Sequence, residues 1–222
     1  MPAPQISSPY LDLHRMDCME LMAQYPDKYF ELAIVDPPYG IGEDGGKLRT
    51  KRDRPNSYLS QCKHVKKKWD VKPLASYFVQ LMRVSRNQII WGGNFFVEEI
   101  AKNSSCWIIW DKNIGGDQAD GDLAWTSFDT AIRIFFGHPF IGTRGGKDRI
   151  HPTQKPVALY NWLLENYAKP GDKILDTHMG SGSIAIACHY RQHHLTACEL
   201  DEDYFRDACK RIEKETRQLA FI

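Results

Sequence analysis

Short apolar runs rich in Ile, Val, Leu and Trp recur along the chain, and stretches with apolar positions at helical spacing separate them. The first pattern predicts strands over 10–14, 31–35, 87–91, 106–110, 130–136, 173–175 and 194–199. The second predicts helices near 17–24, 73–85, 157–168, 182–190 and 201–217. The last of these opens on Asp201-Glu202-Asp203 and carries its basic residues later, which matches the helix dipole. Strands alternating with helices predict an α/β sheet. Three segments read as loops: 41–72, 112–129 with Gly115, Gly116 and Gly121, and 137–149 with Gly137, Gly142, Gly145 and Gly146. Nothing repeats, no tract is of low complexity, and no shift in composition marks a boundary, so residues 1–222 read as one domain with decorated loops.

Composition narrows this picture only a little. At 222 residues, 42% hydrophobic and 26% charged, the chain is long enough for one sizeable core. It has no apolar run of membrane-spanning length. Met1 to Ser8 lack the charged start and apolar stretch of a signal peptide. Cysteines 18, 62, 106, 188, 198 and 209 are scattered without a C-x-x-C pair, as expected of reduced thiols. A cytoplasmic protein, bacterial or phage-encoded, is the expectation.

Net charge is only +1, but its distribution is uneven. Residues 41–72 hold ten basic side chains against four acidic ones, a local charge of +6. A charge run by itself usually means a solvated loop. Its place directly behind residues 36–39 favours contact with phosphates, with Lys47, Arg49, Lys51, Arg52, Arg54, Lys66, Lys67 and Lys68 as the candidates.

Residues 31–40 read ELAIVDPPYG. A buried strand, Leu32 to Val35, ends in Asp36, and open α/β sheets bind ligands outside the carboxyl ends of their strands. Pro37 and Pro38 stiffen the turn and remove two N–H donors, which presents their carbonyls in a fixed direction. Tyr39 adds an aromatic face. An exocyclic base amine is a poor nucleophile because its lone pair is delocalised into the ring. A carboxylate and a backbone carbonyl that accept its two N–H bonds favour a pyramidal nitrogen, and Tyr39 can stack on the base. A four-residue motif also arises by chance, as a strand ending in a proline turn, so it needs support from elsewhere.

Residues 173–183 read KILDTHMGSGS, a strand, an acid and a glycine loop before a helix. Gly180 and Gly182 allow close backbone approach to a ligand, and Ser181 and Ser183 are candidates to cap the helix. The next strand ends in Glu199, followed by Leu200 and Asp201, where an acid can bind ribose hydroxyls. There is no G-x-G-x-x-G, so a nucleoside without a pyrophosphate suits the loop. Upstream, HPTQKP (151–156) places Thr153 and Lys155 before a helix, where they could reach a carboxylate.

Taken together, DPPY (36–39), HPTQKP (151–156), ILDTHMGSGS (174–183) and TACELDEDYF (196–205), in that order, resemble the permuted β class of DNA amino-methyltransferases, which act on adenine N6 or cytosine N4. HRMDCMELM (14–22) and WTSFDTAIRIF (125–135) resemble further segments of that family. The resemblance implies a circularly permuted, Rossmann-like, seven-stranded mixed sheet with helices on both faces, S-adenosylmethionine as cofactor and double-stranded DNA as substrate, with the target base flipped out. By the same resemblance Asp36, Pro37, Pro38 and Tyr39 hold the target amine. Asp17 and Cys18 contact the cofactor adenine and Glu199 its ribose, with Leu200 and Asp201 behind it. Asp176 and Gly180 to Ser183 lie by its methionine part, Thr153 and Lys155 near its carboxylate, and His178 can still stack on the cofactor.

Two features depart from the family. Thr177-His178 stand where Pro-Phe is usual, and the imidazole makes a pH-dependent cofactor affinity an expectation. Only about a dozen residues, 137–149, are free for target recognition, so recognition is short, or the 41–72 loop or a second subunit of a homodimer contributes. By the same resemblance, Asp36 rather than Ser favours adenine N6 over cytosine N4. RNA adenine methylation and a silent nucleic-acid-binding subunit are the remaining alternatives. Cys188, His189, His193, His194 and Cys198 fit no ligand spacing, so no metal is expected. Trp91, Trp107, Trp110 and Trp125 read as core or pocket residues.

Overall fold

The computed structural model describes residues 5–42, 69–113, 119–142 and 148–217. The elements run in chain order β1 (Ile6–Ser8), β2 (Leu11–Arg15), α1 (Cys18–Ala23), β3 (Phe30–Val35), α2 (Ala75–Val84), β4 (Ser85–Trp91), α3 (Val97–Ile100), β5 (Ile108–Asp111), β6 (Gly121–Thr126), β7 (Arg133–Phe136), α4 (Val157–Tyr167), β8 (Lys173–Asp176), α5 (Ser183–Arg191), β9 (His194–Glu199) and α6 (Glu202–Arg217). A single 3₁₀ turn, Gly93–Phe95, follows β4.

The strands form one mixed sheet in the order β1-β2-β9-β8-β3-β4-β6-β5-β7. From β2 through β4 all neighbours are parallel, whereas β6 lies antiparallel to both β4 and β5. The α/β expectation holds, but the sheet has nine strands where seven were expected. The two unforeseen strands have physical causes. Ile6–Ser8 folds back on β2 as a short antiparallel edge, too short to show a period. Residues 112–129, expected as a loop, contain β6; its sequence GDLAWT carries a glycine and an aspartate that mask the apolar pattern. Gly121 stands there because a Cβ would press on the Trp110 carbonyl of β5 at 2.7 Å.

The central strands are apolar on both faces because helices cover both. Leu32 and Ile34 pack with Leu159, Leu163, Ile184 and Phe205 from α4, α5 and α6. Ala33 and Val35 point the other way, into Leu21, Phe78 and Leu81 from α1 and α2. Trp91, Trp110 and Trp125 are buried core residues, as the sequence indicated. Among the described residues no helix is long and apolar enough to cross a membrane.

The topology fixes where a ligand belongs. From β3 the chain runs through α2 to β4 on one side, and from β8 through α5 to β9 on the other. The direction therefore reverses between the neighbours β3 and β8, and a crevice opens beyond their carboxyl ends. Asp36 follows β3, and Asp176 closes β8.

Candidate active site

Asp36 is largely covered, with its side chain 16% exposed, and both of its oxygens are engaged. Tyr39 donates its hydroxyl to Oδ1 at 2.6 Å, and Lys155 donates its ammonium to Oδ2 at 2.5 Å. Burial and the adjacent Asp36 charge hold the Tyr39 hydroxyl well above its ordinary value, so it stays a donor. The Tyr39 ring stacks on Phe95, with centroids 5.1 Å apart and planes within 21°. Its edge passes so close to Gly92 that a Cβ there would run into it, and Gly92 also has φ +69°. Behind Tyr39, Gly40 and Gly42 donate their N–H groups to Asp70 at 2.8 and 2.6 Å. Trp69 lies against His151 at 5.3 Å, and His151 against Tyr204 at 4.3 Å.

Lys155 is only 4% exposed. Its ammonium sits 5.2 Å from the centre of the Trp91 ring, and its carbonyl accepts a hydrogen bond from Ser183 at 2.7 Å. Arg211 of α6 donates to Ser183 Oγ and to the Ser181 carbonyl, both at 2.9 Å. The serines of the loop therefore serve this network, and the expected serine cap on α5 is not formed. The N-cap is Gly182, left-handed at φ +71°, where a Cβ would also press on Ile212 of α6 at 2.8 Å.

Across the crevice, Asp176 is 3% exposed and accepts the His178 N–H at 3.0 Å. Burial, and then the neighbouring charges of Asp36 and Glu199, push its carboxyl up to about 8. Burial takes His178 the other way, down to about 4, so its ring is neutral above pH 5. The expected pH-dependent affinity through His178 is thus not what this environment gives. Its Nδ1 lies 3.0 Å from Thr177 Oγ1, which in turn pairs with the buried Tyr77 hydroxyl at 2.6 Å. Glu199 accepts the Gly180 N–H and the Asp201 N–H, both at 2.9 Å.

The remaining candidates divide. Asp17 caps α1, accepting the N–H groups of Met19 and Glu20, while its charge still acts on His178. Burial pushes the neighbouring Cys18 thiol up to about 12, so it stays neutral. Asp201 caps α6 through the Tyr204 N–H at 3.0 Å, and Leu200 is exposed. Thr153 is exposed and its hydroxyl pairs with His151 Nδ1. The eight basic candidates Lys47 to Lys68 lie outside the described residues. A cavity of about 170 Å³ lined by Gln154, Ile186, Tyr190 and Arg211 lies elsewhere and touches none of Asp17, Asp36, Asp176 or Glu199. Among the described residues no group of three or more His, Cys, Asp or Glu is arranged to hold a metal.

Phe95, Tyr77, Asp70, Trp69 and Arg211 were not foreseen. Only Phe95 left a trace in the sequence: it stands two residues after Gly93, just beyond the carboxyl end of a predicted strand.

Residues 137–210 match the model of a family described as DNA methylase, of the N6/N4 methyltransferase type. Over 226 residues the chain is 24% identical to YubD of Escherichia coli K12, with 91% of this chain and 90% of that one covered. The structure of an M1.HpyAVI–SAM complex superposes with TM-score 0.61 at 18% identity, over 90% of this chain and 99% of that one. PvuII DNA methyltransferase, which is cytosine-N4-specific, superposes with TM-score 0.62 at 12% identity, over 97% and 93%. These comparisons bear out the α/β fold of S-adenosylmethionine-dependent methyltransferases and the resemblance to the DNA amino-methyltransferases.

Proposed function

We propose that the chain transfers a methyl group from S-adenosylmethionine to the N6 amine of adenine in double-stranded DNA, at a base flipped into the β3/β8 crevice. The observation that carries this reading is the arrangement of Asp36. A carboxylate backed by Pro37, Pro38 and Tyr39 stands at the topological switch point, facing a glycine loop and the acids Asp176 and Glu199.

The donor set suits that cofactor. Asp176 is a buried carboxyl that accepts the His178 N–H, and a ligand bearing an ammonium and a sulfonium brings positive charge to it. Asp17 and Glu199 reach the same crevice from α1 and β9 with acceptors for the adenine amine and the ribose hydroxyls. Gly180 and Gly182 keep the loop backbone free of side chains. When bound, S-adenosylmethionine supplies an electrophilic methyl group, the carbon–sulfur electron pair returning to sulfur.

The rest is the work of this chain. Asp36 accepts one N–H of the target amine and the Pro37 carbonyl the other, which loosens the nitrogen lone pair from the ring. Tyr39, braced from behind by Phe95, offers its free face to the base. Once the nitrogen has gained its fourth bond it is strongly acidic, and its surplus proton passes to Asp36 and on to water. No general base is needed before the methyl moves.

Asp36 is the reason for preferring adenine. Cytosine N4 is the second reading, favoured by the likeness to a cytosine-N4-specific enzyme. Incubating duplex DNA with methyl-labelled S-adenosylmethionine, then digesting it to nucleosides, separates the two. N6-methyladenine is expected. N4-methylcytosine would move the chain to the second reading, and no label in any nucleoside, from DNA or RNA, would sink the enzyme reading.

A further inference from the structure

Lys155 and Asp36 lie 119 residues apart in sequence and meet under cover at the mouth of the crevice. An ammonium this buried is retained only against a strong compensating partner, and here the partner is the carboxylate itself. The lysine backbone is held by Ser183, which Arg211 holds in turn, so the ammonium is delivered by a fixed support and not by a loose side chain.

Among the described residues, the groups facing Asp36 are Tyr39 on its own turn, Lys155 before α4, Tyr160 on α4, and Asp176 and His178 at the end of β8. Burial favours the neutral form of Asp176, and both tyrosines stay neutral. The His178 ring is neutral above pH 5. Lys155 is the cation in this set. It and Tyr39 each use one lone pair of the carboxylate, leaving one on each oxygen for a further donor.

We propose that Lys155 is a positioning residue for methyl transfer: it keeps the Asp36 carboxylate ionised and aimed, so that its free lone pairs accept the target N–H. The assignment rests on the proposed methyl transfer. A protonated Asp36 would donate to the amine and occupy the lone pair that must attack. A lysine that instead bound the cofactor carboxylate would act on cofactor affinity and leave the acid limb of kcat alone.

The test is kcat at saturating DNA and cofactor from pH 5.5 to 9.5, with cofactor Kd by calorimetry at pH 9, for wild type, Lys155→Met and Lys155→Arg. In K155M the acid limb is expected to move up by about one pH unit or more, so that the deficit reaches about tenfold or more below the limb and shrinks toward pH 9. Cofactor Kd should change less than about threefold, and the acid limb of K155R should stay within about half a unit of wild type. An unmoved limb in K155M with active wild type overturns the assignment. So does a large rise in Kd with kcat intact, which makes Lys155 a cofactor ligand. If K155M does not fold, a limb displaced in K155R by about a unit overturns it. Wild type without any methyl transfer overturns the underlying reading as well.

Discussion

Two neighbouring side chains in the crevice, Asp176 and His178, are displaced by burial in opposite directions, to about 8 and about 4. Both shifts favour the neutral form, and their consequences for pH differ in sign. His178 binds fewer protons folded than unfolded below its ordinary 6.5, so its contribution to stability rises with pH up to that point. Asp176 keeps a proton that the unfolded chain has released, so stability falls as pH rises from about 4 to about 8. Between pH 6.5 and 8 only the second effect operates. The apo protein should therefore lose Tm over that interval, and Asp176→Asn should remove the loss and melt several degrees higher at pH 8. A calorimetric Tm flat from 6.5 to 8 in wild type would refute this. Affinity for a cationic cofactor should move the other way. Binding draws the proton off Asp176, so Kd should improve toward pH 8 in wild type and in His178→Phe, but not in Asp176→Asn. The imidazole was visible in the sequence. Its silence was not, because titration depends on burial, which arises from packing by segments far away in the chain.

At the scale of elements, strands buried on both faces were the most legible, since an apolar run such as LAIV needs no partner to be recognised. β6 was hidden by Gly121 and Asp122, and β1 by its length of three residues. Element ends carry the site, and there glycine does specific work. Gly92, the left-handed residue after β4, makes room for the Tyr39 ring and lets the 3₁₀ turn bring Phe95 onto its face. Gly92→Ala should displace Tyr39 more than it unsettles the sheet. A loss of about 1–3 kcal/mol in stability is expected from the φ > 0 penalty and the crowding. The accompanying fall in kcat should be at least about tenfold, as for a reacting group moved by a fraction of an ångström. Unfolding in denaturant together with steady-state rates measures both; full activity in G92A would mean that Tyr39 needs no such clearance. Asp17 is a different case. As the N-cap of α1, its replacement by Ala should cost about 1 kcal/mol. Asp17→Asn keeps a capping oxygen, so it should retain that stability while weakening cofactor binding, if the charge is what the cofactor uses.

For the whole molecule, the order of motifs along the chain was legible and the crevice was not. Asp36, Lys155, Asp176 and Glu199 become neighbours only because β3 and β8 pair at the point where the sheet reverses direction. That geometry also sets where the basic segment begins and ends. Gly40 and Gly42 are tied to Asp70, Trp69 rests on His151, and Lys72 pairs with Glu99 at 2.7 Å. Gly42 and Trp69, the described residues on either side of the basic segment, both lie by the turn that holds Asp36, which under the proposed function is where a phosphate backbone would pass. Since the whole chain carries a net charge of only +1, the DNA affinity that the proposed function requires would have to come from such local charge. Each phosphate neutralised contributes about 0.9 to the slope of log K against log salt. Reversing Lys66, Lys67 and Lys68 to Glu should flatten that slope by about 2 to 3 and weaken binding at low salt far more than at high salt. Asp36→Ala should abolish transfer yet leave the slope unchanged, because it touches the base and not the backbone. Anisotropy titrations of a labelled duplex from 50 to 300 mM NaCl, on the order of the range over which counterion release is read, test both variants. A triple reversal that left the slope where it was would make the segment an ordinary solvated loop and move recognition to residues 137–149 or to a second subunit.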